Sequence, residues 1–139
     1  MEREAIRRLV AAARVGRLAT VGAGGRPHVV PFCYVLSGEA IYSAVDEKPK
    51  RSRTLQRLEN IRRNPVATVL IDHYEEDWTR LWWVRLEGTG RIVTTGEEQA
   101  RAQSLLLEKY EQYQRQPPPG PLLAVDIQRW LAWAADSVP

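Results

Sequence analysis

Lysine, histidine and cysteine are scarce in this chain, and each scarcity narrows the reading. Only three of the 20 basic residues are lysine, and two of them, Lys48 and Lys50, stand in one turn. Basic charge is therefore local, and a net charge of +3 is too mild for a dedicated nucleic-acid binder. A small anionic ligand fits better. The single cysteine, Cys33, excludes an intramolecular disulfide and fits a reducing cytoplasm. The two histidines, His28 and His73, show no recognised metal-ligand spacing with Asp72, Glu75, Glu76 or Asp77, so no metal is expected. No run approaches the roughly 20 apolar residues of a membrane span. The first residues, MEREAIRRLVAAARVG, lack the long apolar core of a signal peptide. A Ser–His–Asp or Cys–His nucleophile signature is also missing.

What is present fits one domain over residues 1–139: 44% of residues are hydrophobic and 27% charged. Ile6, Leu9, Val10 and Ala13 recur at helical spacing, so Glu2 to Ala13 is predicted as a helix ended by Gly16. Arg17 to Val21 reads as a strand, Gly22 to Gly25 as a turn, and Pro27 to Leu36 as the second strand of a hairpin. That strand is apolar on both faces, which suits the heart of a barrel or the floor of a ligand site. Pro31 removes a ladder donor there, so its place is an edge, a bulge or a point where something else meets the backbone. Val66 to Asp72 and Leu81 to Val93 read as strands, the latter bent at Gly88 and Gly90. Between them, His73 to Trp78 is a polar, acidic loop. Glu97 to Tyr113 is predicted as one helix packed through Ala100, Leu105, Leu106 and Leu107. Pro117 to Pro121 is a stiff exposed connection, and Leu122 to Trp133 is a last strand. About six strands in a meander of hairpins, with three helices, argue for an antiparallel barrel with helices outside it.

The stretch from Ala40 to Pro65 organises the rest. Ala40 to Val45 is an apolar strand. A charged turn then carries Lys48 and Lys50, and a helix beginning near Ser52 or Thr54 carries Arg53, Arg57, Arg62 and Arg63. Leu55, Leu58 and Ile61 bury one side, and Pro65 ends the helix. A strand, a basic turn and a helix start together attract phosphate. A solvated basic face is the other reading of the same charges.

Taken in order, GRLATV, GRPHVVPFCYV, YSAVD, the KPK turn, NIRRNPVATVLID and EGTGRIV resemble the pyridoxamine 5'-phosphate oxidase-like split β-barrel proteins, the flavin and deazaflavin oxidoreductases. The match spans roughly Arg14 to Val93, and DHYEEDW followed by LWWVR resembles the branch that uses the deazaflavin coenzyme F420. The resemblance implies a mainly β (α+β) fold, a six-stranded antiparallel split barrel with flanking helices. It also implies a homodimer with two cofactor sites at its interface. On that resemblance, Lys48 and Lys50 hold the cofactor phosphate, with Arg53 and Arg57 next in line. Val30, Pro31, Phe32 and Cys33 run beside the ring system, and Ser43, Ala44 and Val45 lie on the neighbouring strand. Trp82 and Trp83 come from the partner subunit or shape the substrate pocket. Adjacent strand residues face opposite ways, so one of the two enters the core or interface and the other a pocket, or both simply pack. Trp130 and Trp133 are interface candidates. Arg85 reads as a contact to an acidic substrate or cofactor tail, or as a surface salt bridge. The tail offers only Arg129 as a basic residue, which argues against vitamin B6 chemistry.

Three functions follow as expectations. The first is hydride transfer between coenzyme F420 and a small organic substrate, since seven basic residues from Lys48 to Arg63 suit the phosphodiester and oligoglutamate tail of that cofactor. The second is an FMN-dependent oxidase or reductase, for which one phosphate clamp suffices. The third is a non-catalytic flavin or haem carrier on the same barrel.

Overall fold

The structure is a computed structural model that describes residues 1–45 and 51–136, with the side chains of 51–55 outside the description. Lys48 and Lys50 thus lie outside the described residues, as do the side chains of Ser52, Arg53, Thr54 and Leu55. The described chain forms, in order, α1 (Arg3–Ala12), β1 (Gly16–Val21), β2 (Pro27–Phe32), β3 (Val35–Ser37), β4 (Ala40–Ala44), α2 (Arg51–Arg63), β5 (Val66–His73), β6 (Trp82–Val93), α3 (Glu97–Lys109), α4 (Glu111–Arg115) and β7 (Leu122–Ala134).

All strand pairs are antiparallel, in one sheet of order β2-β1-β5-β6-β7-β4-β3. The two edge strands, β2 and β3, are separated in sequence only by Cys33 and Tyr34. Two residues reach about 10 Å. The sheet therefore curls until its edges nearly meet without being laddered together, which is a split barrel. Here the predicted strand Pro27 to Leu36 divides in two, because the chain must leave one edge and start the other. Pro31 lies on the edge strand β2, where its missing N–H breaks no ladder.

Alternation fills the barrel. Leu18, Val69, Ile71, Val84 and Leu86 point inward with no exposed surface, joined by Ile6 and Val10 of α1 and by Leu58 and Ile61 of α2. A second cluster, with Val35, Tyr42, Ala44, Leu122 and Ala124, packs beneath Ala102 and Leu106 of α3. Ala102, rather than the expected Ala100, is the buried alanine of that helix. A buried polar link ties α2 to β1: Asn60 donates to Thr20 Oγ1 at 3.0 Å and accepts from Gln56 at 2.8 Å. Gly90 of β6 lets α2 approach closely, since a Cβ there would lie 2.5 Å from Ile61 Cδ1. The expected bend in β6 is a register shift between Glu87 and Gly88.

Two predicted boundaries change for physical reasons. The single helix Glu97 to Tyr113 breaks at Tyr110, whose backbone is extended. Its hydroxyl is held at the barrel's split, accepting from Tyr34 N–H and lying within 3.0–3.1 Å of the Arg14 and Tyr34 carbonyls. The proline segment is not wholly exposed. Pro118 is buried and its carbonyl accepts from Gln103, while the Gly120 carbonyl accepts from Gln99.

The split is also where an unusual lysine sits. Lys109 Nζ donates to the Tyr34 carbonyl at 3.0 Å and lies 4.1 Å from the centre of the Tyr34 ring. Burial, and then the Arg14 guanidinium, lower its pKa to about 8, while Cys33 opposes them. Tyr34 and Tyr110 complete its surroundings. The folded pKa lies below the ordinary value near 10.4, so between those values the unfolded chain binds more protons and stability rises with pH. We expect wild type to gain stability relative to Lys109→Met as pH rises from 8 to 10, read as the difference in urea midpoints. Parallel midpoints would contradict this role for Lys109.

Candidate functional site: an aromatic groove and a basic helix

The face of the sheet that turns away from the barrel interior carries Val29, Leu70 and Trp133, which are 59%, 37% and 45% exposed. Adjoining it is a groove of about 370 Å³ lined by Leu70, Asp72, His73, Tyr74, Leu81, Trp82, Trp83, Arg85 and Trp133. Register builds it: Asp72 of β5, Trp83 of β6 and Trp133 of β7 stand side by side across three strands. Trp82, one residue earlier, packs against the barrel core and stacks on His73 at 6.0 Å. The two adjacent tryptophans thus leave the strand in opposite directions, and both border the groove at the sheet's end.

Charges are compensated around this groove. The Arg85 guanidinium lies 5.3 Å from the centre of the Trp83 ring, and its Nε donates to Glu87 at 3.1 Å. Arg17 reaches Asp72 at 3.7 Å. Arg85 therefore makes the salt bridge and also lines the groove. The polar stretch starts a residue later than expected, since β5 includes His73. His73 Nε2 meets Glu75 Oε2 at 2.5 Å, and Arg80 donates to the same carboxylate at 3.2 Å. The His73 hydrogen bond, assisted by Arg80, holds the Glu75 carboxyl below the usual carboxylate range. Asp77 caps the following turn by accepting from Thr79.

The second part of the site is at the far end of β6. Ser43 pairs with Leu123, which pairs with Ile92. Trp83 lies nine residues before Ile92, about 30 Å along an extended strand. Arg57, on α2, is half-buried. On the strand face shared with Thr20, to which α2 is tied, His28 Nδ1 is buried without a hydrogen-bond partner among the described residues.

The residues marked in the sequence accordingly fall into groups. Phe32 and Val45 belong to the cluster filling the barrel, with Val30 packed against it; Ala44 belongs to the cluster under α3, with Cys33 packed against it. Phe32, Ser43, Ala44 and Val45 are all less than 10% exposed, so they offer a ligand mainly backbone. Pro31 is exposed and shares a row with Arg17, Leu70 and Arg85, facing the groove side of the sheet. Trp130 is half-buried: Arg3 and Arg7 lie over its ring and its indole N–H donates to Glu39. The His73–Glu75 pair was missed in the sequence, although a histidine two residues before a glutamate at a strand end was its signal. Among the described residues, no group of three or more His, Cys, Asp or Glu is placed to hold a metal, and no helix is long and apolar enough to cross a membrane.

A curled antiparallel sheet whose edges nearly meet, with flanking helices, defines the class of split β-barrels. The particular family follows from comparison: the family model for pyridoxamine 5'-phosphate oxidase matches residues 3–134, and the chain belongs to that family. No curated protein matches the chain. Among solved structures it is similar to the conserved hypothetical protein Rv2991 of Mycobacterium tuberculosis, with TM-score 0.79, 23% identity, and 97% of this chain and 86% of the other covered. It is also similar to an FAD-binding protein of Mesorhizobium loti, with TM-score 0.62, 21% identity, and coverage of 95% and 94%. A third is HutZ, a haem storage protein of Vibrio cholerae, with TM-score 0.70, 16% identity, and coverage of 95% and 93%. These TM-scores establish the shared fold.

Proposed function

We propose that the protein is an oxidoreductase that transfers hydride between coenzyme F420 and a small organic substrate, in sites shared by two copies of the chain. The observation that carries this reading is the separation just described. One strand holds the aromatic groove at one end and passes α2 at Gly90 near the other, farther from Trp83 than a cofactor's ring system alone reaches. A homodimer formed through the apolar sheet face would bring the groove of one copy to the clamp of the next. Val29, Leu70 and Trp133 supply that face with apolar surface.

The residues suit a planar, phosphate-bearing group. The unpartnered His28 Nδ1 beside α2 can meet a polar ligand atom, and Arg57 supplies charge. Lys48, Lys50 and Arg53 would complete the clamp. When bound, such a cofactor supplies the hydride, and the protein supplies orientation and a dry pocket. The seven basic residues from Lys48 to Arg63 favour F420 with its anionic tail, while FMN needs fewer. The single cysteine fits a cytoplasmic setting. A binding protein without turnover is the second reading, favoured by the haem storage protein among the similar structures.

Paired titrations of the purified protein with F420 and FMN, read by tryptophan quenching, test the reading. We expect micromolar or tighter binding of F420 and much weaker binding of FMN. The reverse preference would move the protein to FMN chemistry, and binding of neither would end the cofactor reading.

A further inference from the structure

We propose that Lys109, at the split of the barrel, is a modification site for carbon dioxide, its side-chain nitrogen forming a carbamate that Arg14 stabilises. The site stands independently of the cofactor reading. Three parts of the chain meet there: Arg14 in the link between α1 and β1, Cys33 and Tyr34 in the link between β2 and β3, and Lys109 and Tyr110 at the end of α3. Lys109 Nζ donates to the Tyr34 carbonyl at 3.0 Å and lies 4.1 Å from the centre of the Tyr34 ring and 5.4 Å from that of Tyr110. Arg14 donates to the Lys109 carbonyl at 2.7 Å, with its guanidinium 4.9 Å from the centre of the same Tyr110 ring. Two cations thus share one aromatic ring, and neither is paired with a carboxylate among the described residues. Burial raises the pKa of both phenols, so Tyr34 and Tyr110 stay neutral and supply no countercharge. Cys33 is the remaining titratable neighbour.

Desolvation and a neighbouring cation are the two conditions that turn a lysine into a nucleophile. With a pKa of about 8, roughly half of the Lys109 amines carry a free lone pair at pH 8, against under about 1% for an ordinary lysine near 10.4. Arg14 is exposed and Lys109 half-buried, so the amine stands at an opening that a small molecule can enter. The unpaired cations select among electrophiles. Acetylation would give a neutral amide and leave Arg14 without a countercharge, whereas carbon dioxide is small and uncharged and yields an anion.

The Nζ lone pair attacks the carbon of carbon dioxide, and a nitrogen–carbon bond forms. One carbon–oxygen π pair moves onto oxygen, and one N–H proton leaves to water. A negative charge then stands where an ammonium faced Arg14, so repulsion becomes attraction. The carbamate nitrogen keeps one N–H for the Tyr34 carbonyl.

The test equilibrates the full chain with carbon dioxide at pH 8 and traps carbamates as ethyl esters with a triethyloxonium salt. Peptide mass spectrometry then locates them, with Nα-acetyl-lysine in the same solution as the ordinary amine. Lys48 and Lys50 are the only other lysines, so the assignment is unambiguous. We expect roughly tenfold or more adduct on Lys109 than on acetyl-lysine, falling at least about fivefold at pH 7 under the same carbon dioxide pressure, as the amine protonates. Arg14→Gln, which keeps a donor but loses the charge, should lower the adduct about fivefold or more, and Arg14→Lys should retain it. Adduct on Lys109 no greater than on acetyl-lysine overturns the proposal. Undiminished adduct in Arg14→Gln, shown folded by circular dichroism, also overturns it, since the cation would then hold nothing.

Discussion

Gly88→Ala should destabilise the protein by about 3 kcal/mol or more, since Gly88 has the closest neighbour to an added Cβ of the described glycines. At this position the register of β6 against β7 shifts: Glu87 faces Arg129, but Gly88 faces Ile127, so β7 carries one extra residue. A Cβ on Gly88 would lie 1.9 Å from the Asp126 carbonyl oxygen and 2.9 Å from its carbon. Those are backbone atoms of a paired strand, and no side-chain rotation relieves the overlap. β6 and β7 form the longest ladder in the sheet, and the strand downstream of the bulge carries Trp130 and Trp133. A lowered urea midpoint with loss of the groove's quenching response is the expected result. An unchanged midpoint would show that the bulge yields easily.

Arg57→Glu should weaken cofactor binding roughly 100-fold while leaving the fold intact. A charge-assisted hydrogen bond to phosphate is worth about 1.5–3 kcal/mol, and reversing the charge adds repulsion. Arg57 lies within α2 and is half-buried. The buried face of α2 is carried by Leu58, Asn60 and Ile61, which the substitution leaves alone. Isothermal titration against F420, with circular dichroism as the control for folding, checks it. Unchanged affinity in a folded variant would remove Arg57 from the clamp.

Much of this architecture was legible in the residues. The strands read over Arg17–Val21, Val66–Asp72 and Leu81–Val93 match β1, β5 and β6 to within a residue, and Gly88 marked the bulge. Pro31 pointed to an edge, a bulge or a point where something else meets the backbone, and the structure realises the first. Periodicity could not show that Cys33 and Tyr34 carry the chain between two sheet edges, because that follows from how far the sheet curls. For the same reason Pro27 to Leu36 read as one strand. The break at Tyr110 was hidden too, since its cause is a hydroxyl caught by the backbone of Tyr34 and Arg14, far away in sequence. Trp82 and Trp83 were marked correctly as facing opposite ways. Their distance from Ser43 to Val45 appeared only once β6 was seen to run the length of the sheet. The pairing of His73 with Glu75, and the stacking of His73 on Trp82, depend on where β5 ends, which polar composition alone had placed one residue too early.

The central claim is that each site takes its clamp from one copy and its tryptophans from another. Subunit complementation tests it directly, by co-refolding equal amounts of Arg57→Glu and Trp83→Ala and counting F420 sites. Each variant alone should bind weakly. If sites are shared across a two-fold interface, half of the randomly assorted dimers are mixed and each has one intact site, so about a quarter of the wild-type sites should return. No recovery from a mixture shown to form mixed dimers would place both residues in one chain's site and contradict the account.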